Sequence, residues 1–154
     1  MVTLLLAALL AGCAGRPGAL AAPRRDESGL VVAGGVAETG DLQGGDCFNN
    51  SSSSVVQVTV VPCDQAHDYE LFFSYNLTGG PYPGEELIKQ DWMRTCMDHF
   101  EGFVGRSFDD STLDVSAIYP TELTWNNQSD RQVLCSVTAA DGRQRLGSAR
   151  SSQA

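Results

Sequence analysis

The sequence predicts an α+β domain: a small antiparallel sheet with one main helix packed on one face, braced by two disulfides. Three observations predict it. Apolar residues alternate with period two in several short segments, and one segment of about twenty residues carries them at the helical period instead. Four cysteines, Cys47, Cys63, Cys96 and Cys135, are spread over those segments. Runs of strands interrupted by one long helix give an antiparallel sheet with the helix on its buried face.

Taken in order, the β-branched run Val55-Val56-Gln57-Val58-Thr59-Val60-Val61, stopped by Pro62, reads as a strand. Tyr69, Leu71, Phe73 and Tyr75 alternate with Glu70, Phe72 and Ser74, which reads as its antiparallel partner across a turn at Asp64-Gln65-Ala66-His67. Gly79-Gly80-Pro81-Tyr82-Pro83-Gly84 then forbids regular structure. Glu85 and Glu86 follow, acidic where a helix N-terminus favours acids. From there Ile88, Trp92, Cys96, Phe100 and Phe103 fall on one helix face, so a helix is predicted over 85–104, with Gly105 as its left-handed cap. Leu113, Val115, Ala117 and Tyr119 alternate again up to Pro120, and Val133, Cys135 and Val137 make the next strand. Asp141-Gly142 predicts a hairpin turn into a last short strand over 143–149.

Four cysteines allow three pairings. Cys47 with Cys63 and Cys96 with Cys135 is the favoured one, because the first closes a short loop around a strand and the second joins helix to sheet. On the chain-entropy view such loops contribute about 3 and about 4 kcal/mol. The competing chemistry is a zinc site from Cys63-x3-His67 and Cys96-x2-His99, which lacks the tighter Cys-x2-Cys knuckle of structural zinc centres. Cysteines of exported proteins are also usually oxidised. No metal and no cofactor is expected.

Export is predicted by the N-terminus. Residues 1–12 are apolar but too few to span a bilayer, which takes about 20 residues, and they end in the lipobox Leu10-Ala11-Gly12-Cys13. They read as a signal peptide of the kind bacterial lipoproteins carry, with Cys13 as the lipidated residue. No Lys or Arg precedes Arg16, so the true start codon is expected further upstream. Residues 13–43, rich in Gly and Ala and without periodicity, read as a lipid-anchored flexible linker. The folded domain is expected over 44–149 and a disordered tail over 150–154.

Charge and motif content narrow the function. Between Asp46 and Gly142 the chain carries fifteen Asp and Glu against four Lys and Arg, a net −11. Such a body repels nucleic acid and anionic lipid headgroups, which leaves the lipid at Cys13 as the expected contact with the membrane. A reaction finds no support in the residues. Only His67 and His99 offer an imidazole, no Gly-x-Ser-x-Gly elbow or phosphate loop occurs, and the cysteines are the bridged ones. The adjacent acids Glu85-Glu86 and Asp109-Asp110 point apart, unlike a glycosidase pair, and read as solvated surface. His67 and Asp68 sit in a turn, where local hydrogen bonding is the plainer reading. Trp125, Asp130 and Arg131 are the remaining structural or binding candidates, with Trp125 expected at the sheet edge and Arg131 paired to an acidic side chain.

A resemblance completes the reading. Gly45-Asp46-Cys47-Phe48, Val60-Val61-Pro62-Cys63-Asp64-Gln65-Ala66-His67-Asp68-Tyr69-Glu70, Tyr82-Pro83-Gly84, Cys96, Tyr119-Pro120-Thr121, Trp125 and Asp130-Arg131-Gln132-Val133-Leu134-Cys135 occur in an order that resembles the actinobacterial septum formation domain. The likeness spans about residues 44–149 and departs from the pattern at Asn126-Asn127-Gln128-Ser129, where a tighter, Gly-containing turn is expected. It implies a non-catalytic cell-envelope lipoprotein on the extracytoplasmic face, a binding module whose partner is an envelope or division protein, and it supplies no catalytic residues. The competing reading is a small extracytoplasmic enzyme or metal-binding protein.

Overall fold

The computed structural model describes residues 21–50 and 56–154. The signal segment, Cys13 and the Ser51–Ser54 patch lie outside them. The elements run β1 (Arg24–Arg25), β2 (Val31–Ala33), β3 (Gly35–Glu38), β4 (Cys47–Asn50), β5 (Gln57–Val61), β6 (Tyr69–Asn76), α1 (Glu85–Val104), β7 (Leu113–Ile118), α2 (Glu122–Gln128) and β8 (Gln132–Ala139). The predicted class is the observed one: an antiparallel sheet of six strands in the order β3-β5-β4-β6-β8-β7, with α1 on one face and a separate β1-β2 ladder. Both favoured disulfides, Cys47–Cys63 and Cys96–Cys135, are present.

α1 occupies the predicted span. Gly84 enters it at φ 97° and Gly105 leaves it at φ 84°, donating its N–H to the Glu101 carbonyl, conformations that a side chain would strain. Ile88, Cys96, Phe100, Phe103 and Val104 are its buried positions. Four of these, Cys96, Phe100, Phe103 and Val104, meet Phe72, Leu113, Val133, Cys135 and Val137 in the first core layer. A second layer, Leu42, Phe48, Val58, Val60, Leu71 and Leu134, fills the other face. A β-bulge between Leu71 and Phe73 lets β6 serve both layers: Leu71 enters the second, while Phe72, Phe73 and Tyr75 pack on the first. The strict alternation read for this strand is broken there.

Four sequence expectations are corrected, and one element was not foreseen. The hairpin expected between β5 and β6 does not form, because β4 lies between them, with Cys47 opposite Val61 on one side and Glu70 on the other. Cys47-Phe48-Asn49-Asn50 is short, half Asn and without a β-branched residue, so propensity hides it.

The second correction concerns residues 13–43, whose described part is folded rather than a flexible linker. β3 pairs along its whole length with β5, residues Thr39–Asp41 form a 3-10 turn, and Leu42 is buried. Backbone pairing, one ion pair and the burial of Leu42 hold this segment, none of which leaves an apolar period in the sequence. Arg25 grips Asp46 with two bonds of 2.6 and 2.7 Å, and Asp46, 2% exposed, also accepts the Gln43 N–H. The Asp46 hydrogen bond raises the Arg25 guanidinium above its ordinary value. Breaking a buried pair from one side strands the other charge, at about 3 kcal/mol or more when fully buried and somewhat less with Arg25 partly solvated. Arg25→Ala is therefore expected to cost about 2 kcal/mol in urea unfolding. Arg25→Ala with Asp46→Asn should recover part of that; no recovery would show that the charge pair is not what anchors the segment.

Thirdly, no strand follows the Asp141-Gly142 turn. Arg145 makes a single bridge to His67, and the chain then runs to the buried Glu70 carboxylate, which accepts from Ser148 Oγ and the Ala149 N–H. The expected disordered tail docks as well, with Ser151 and Gln153 donating N–H groups to the Phe103 and Val104 carbonyls at the end of α1. Lastly, α2 was not foreseen. Thr121 caps it in a reciprocal bond with Thr124, but its seven residues offer no apolar stripe beyond Trp125.

Candidate functional site

The sheet is rolled enough that Thr39 and Val56, from the β3–β5 side, line the same groove as Ile118 and Tyr119 from the β7 edge. This groove encloses about 630 Å³. Its walls are set by proline-flanked aromatics: Tyr82, in the irregular loop ahead of α1, and Tyr119, at the end of β7 just before Pro120. Tyr119 stacks on Trp92 of α1 with centroids 6.3 Å apart, and Tyr82 meets Trp125 edge-on at 5.9 Å. The aromatic walls are thus held from behind by packing.

Glu85, Glu122 and Asp130 line the groove and, among the described residues, no basic side chain does. Lys89, one helix turn on, pairs with Glu85 at 2.7 Å and holds that carboxyl below its ordinary value. Desolvation and then the carboxylates of Glu85 and Glu122 push the Tyr82 phenol up. The local field is acidic. A concave, aromatic wall with an acidic rim suits a partially apolar, positively charged ligand.

The predicted site residues divide into two groups. Trp125, Asp130 and Arg131 come together beside the groove. Trp125 is 3% exposed on α2, not at the sheet edge, and its indole N–H donates to the Gly80 carbonyl at 3.0 Å. Arg131 lies 3.6 Å over the Trp125 ring and donates to the Trp125 and Asp130 carbonyls. The expected carboxylate partner is replaced by carbonyls because the end of α2 presents them to the guanidinium. Asp130 faces the groove and accepts the Gln132 N–H. Tyr82, Tyr119 and Glu122 belong to this region and were not foreseen; the Tyr-Pro pairs were the one signal that could have singled out the aromatics.

His67 and Asp68 lie apart from it, at the start of β6. His67 is buried, with Nδ1 2.8 Å from the Gln65 carbonyl, while the Asp68 N–H donates to Asn49 Oδ1. These are turn-fixing bonds. Over residues 43–154 the chain matches the family described as septum formation. The chain belongs to the septum formation family. That description gives it a role related to cell division. No curated protein and no solved structure matches it.

The septum formation match ends at Ala154, so it takes in the docked tail as well as the predicted span. It also contains the two disulfides, which settle the rival zinc set: Cys63 and Cys96 are bonded to Cys47 and Cys135, and the His99 ring stacks on Phe73 at 3.6 Å. Cys47, Cys63 and Glu70 do converge, but the sulfurs are joined and Glu70 is engaged by Ser148 and Ala149. Among the described residues, no helix is long and apolar enough to cross a membrane.

Proposed function

We propose that this septum formation domain is a non-catalytic binding module, held on the outer face of the cell membrane by a lipid on Cys13, and that its partner is a basic segment of an envelope or division protein. The acid-rimmed aromatic groove supports this reading best, since it joins binding area to a field that selects positive partners. The body's net charge of −11 acts in the same direction over longer range. Anchoring would raise the effective concentration of partners sharing that membrane, so a weak contact suffices.

In-cell crosslinking of the tagged chain, followed by capture at rising salt, tests the proposal. A protein partner should be recovered whose capture weakens as the screening length falls below about 10 Å. The paired change Glu122→Gln and Asp130→Asn should weaken it about threefold to tenfold at low salt, with the difference closing at high salt. Asp130→Asn retains the oxygen that accepts the Gln132 N–H, so folding is not the variable. Small-molecule turnover by the purified chain with no protein partner would overturn the reading and favour the enzyme alternative. Replacing Cys13 by Ser should release the chain from the membrane fraction; retention would remove the lipid from the account.

A further inference from the structure

We propose that β7 takes the partner's basic segment as an added strand, making the main sheet seven-stranded along the slot beside that edge. This rests on the reading above and specifies how the segment is held. Among the described residues β7 is an edge strand, paired only with β8. The Ala140 N–H donates to the Thr112 carbonyl, so the alternation of an antiparallel ladder turns residues 112, 114, 116 and 118 toward β8 and residues 113, 115 and 117 outward. The outward N–H of Leu113 reaches Ser111 Oγ and that of Val115 reaches Asp114 Oδ1. That of Ala117 has no partner among the described residues. An edge so lightly guarded, by one exposed carboxylate and no proline or lysine, is open to strand addition.

The space beside that edge is already formed. A cleft of about 200 Å³ lies on the second face of the sheet, lined by Phe48, Asn50, Tyr69, Ile118 and the facing pair Ser116 and Ser136. It shares Ala117 and Ile118 with the acidic groove, so the two form one slot along the C-terminal half of β7. Ser136 is 2% exposed and lines this cleft, and its buried hydroxyl has no hydrogen-bond partner among the described residues. A buried hydroxyl left unpaired is costly, and a group entering the cleft would relieve it.

The slot also states what sequence it takes. On an added strand, side chains alternate between the two faces. Those beside Ser116 and Ile118 would enter the cleft, which carries no charge and favours small apolar or hydroxyl side chains. Those beside Val115 and Ala117 would stand on the α1 side, toward the groove where Glu85 and Glu122 favour Arg or Lys.

A ten-residue peptide in which Val alternates with Arg is the probe, titrated against the full chain in neutral detergent. Amide exchange at Ala117 and Val115 should slow on binding. Of two further peptides, one N-methylated at every Val and one at every Arg, one should lose at least tenfold in affinity and the other should not, because all the donors on one edge of a strand belong to alternate residues. A peptide alternating Val with Glu should not bind. Equal binding by both N-methylated peptides would overturn strand addition while leaving acidic capture intact. No binding by any basic peptide would overturn both.

Discussion

Replacing Cys96 and Cys135 together by alanine is expected to lower the stability of the domain by about 4 kcal/mol. The bridge closes a loop of 39 residues, and removing it returns that loop's conformational freedom to the unfolded chain. Both sulfurs are fully buried between α1 and β8, so the folded state also loses packing. Against the 5–15 kcal/mol typical of single domains, the loss is about a quarter of the total or more. A drop of about 15 °C or more in melting temperature should accompany it. Replacing Cys47 and Cys63 instead should cost about 3 kcal/mol, since that loop spans only 16 residues. A change under about 1 kcal/mol for the first pair would show that the helix is held on the sheet by packing alone.

Trp125→Ala is expected to cost about 3 kcal/mol, at the low end for a buried tryptophan because α2 is short and peripheral enough to relax. Three attachments are lost together: the bond to the Gly80 carbonyl, the Arg131 guanidinium on the ring, and the edge-on contact with Tyr82. Trp125→Phe keeps a ring for Arg131 and Tyr82 but loses the donor, and should cost about 1 kcal/mol for the bond, together with some packing. Thermal melts of the two variants separate these contributions. An unchanged melting curve for Trp125→Ala, with partner capture lost, would move Trp125 from the scaffold of the groove to its binding surface.

What the sequence made legible were the elements whose side chains carry a period. α1 could be read from Ile88 to Phe103, β7 from Leu113 to Tyr119, and both disulfides from where their cysteines fell on those elements. The elements that escaped are held by other forces. β4 has four residues and two asparagines, and β3 is Gly-Val-Ala-Glu; each owes its place to backbone pairing with β5, which is insensitive to composition. The segment around Arg25 looked like linker because its anchor is a charge pair 21 residues apart in the chain. α2 is set by a threonine cap that resembles any polar turn. The groove was invisible for a related reason. Tyr82, Tyr119 and Glu122 are brought together by the fold, and only Trp125, Asp130 and Arg131, clustered in sequence, drew notice beforehand.

The disulfides of the domain join cysteines that are neighbours in chain order, Cys47 to Cys63 and Cys96 to Cys135, with no crossing. On the export route proposed above, with the Cys13 thiol taken up by its lipid, Cys47 and Cys63 are both outside before Cys96 arrives. An oxidant that joins thiols as they appear therefore makes native bonds by default, and the β4–β5 hairpin is stapled before α1 has left the channel. On that route, maturation is expected to need a thiol oxidase and no disulfide isomerase. Its yield in cells should be indifferent to loss of the second and sensitive to loss of the first.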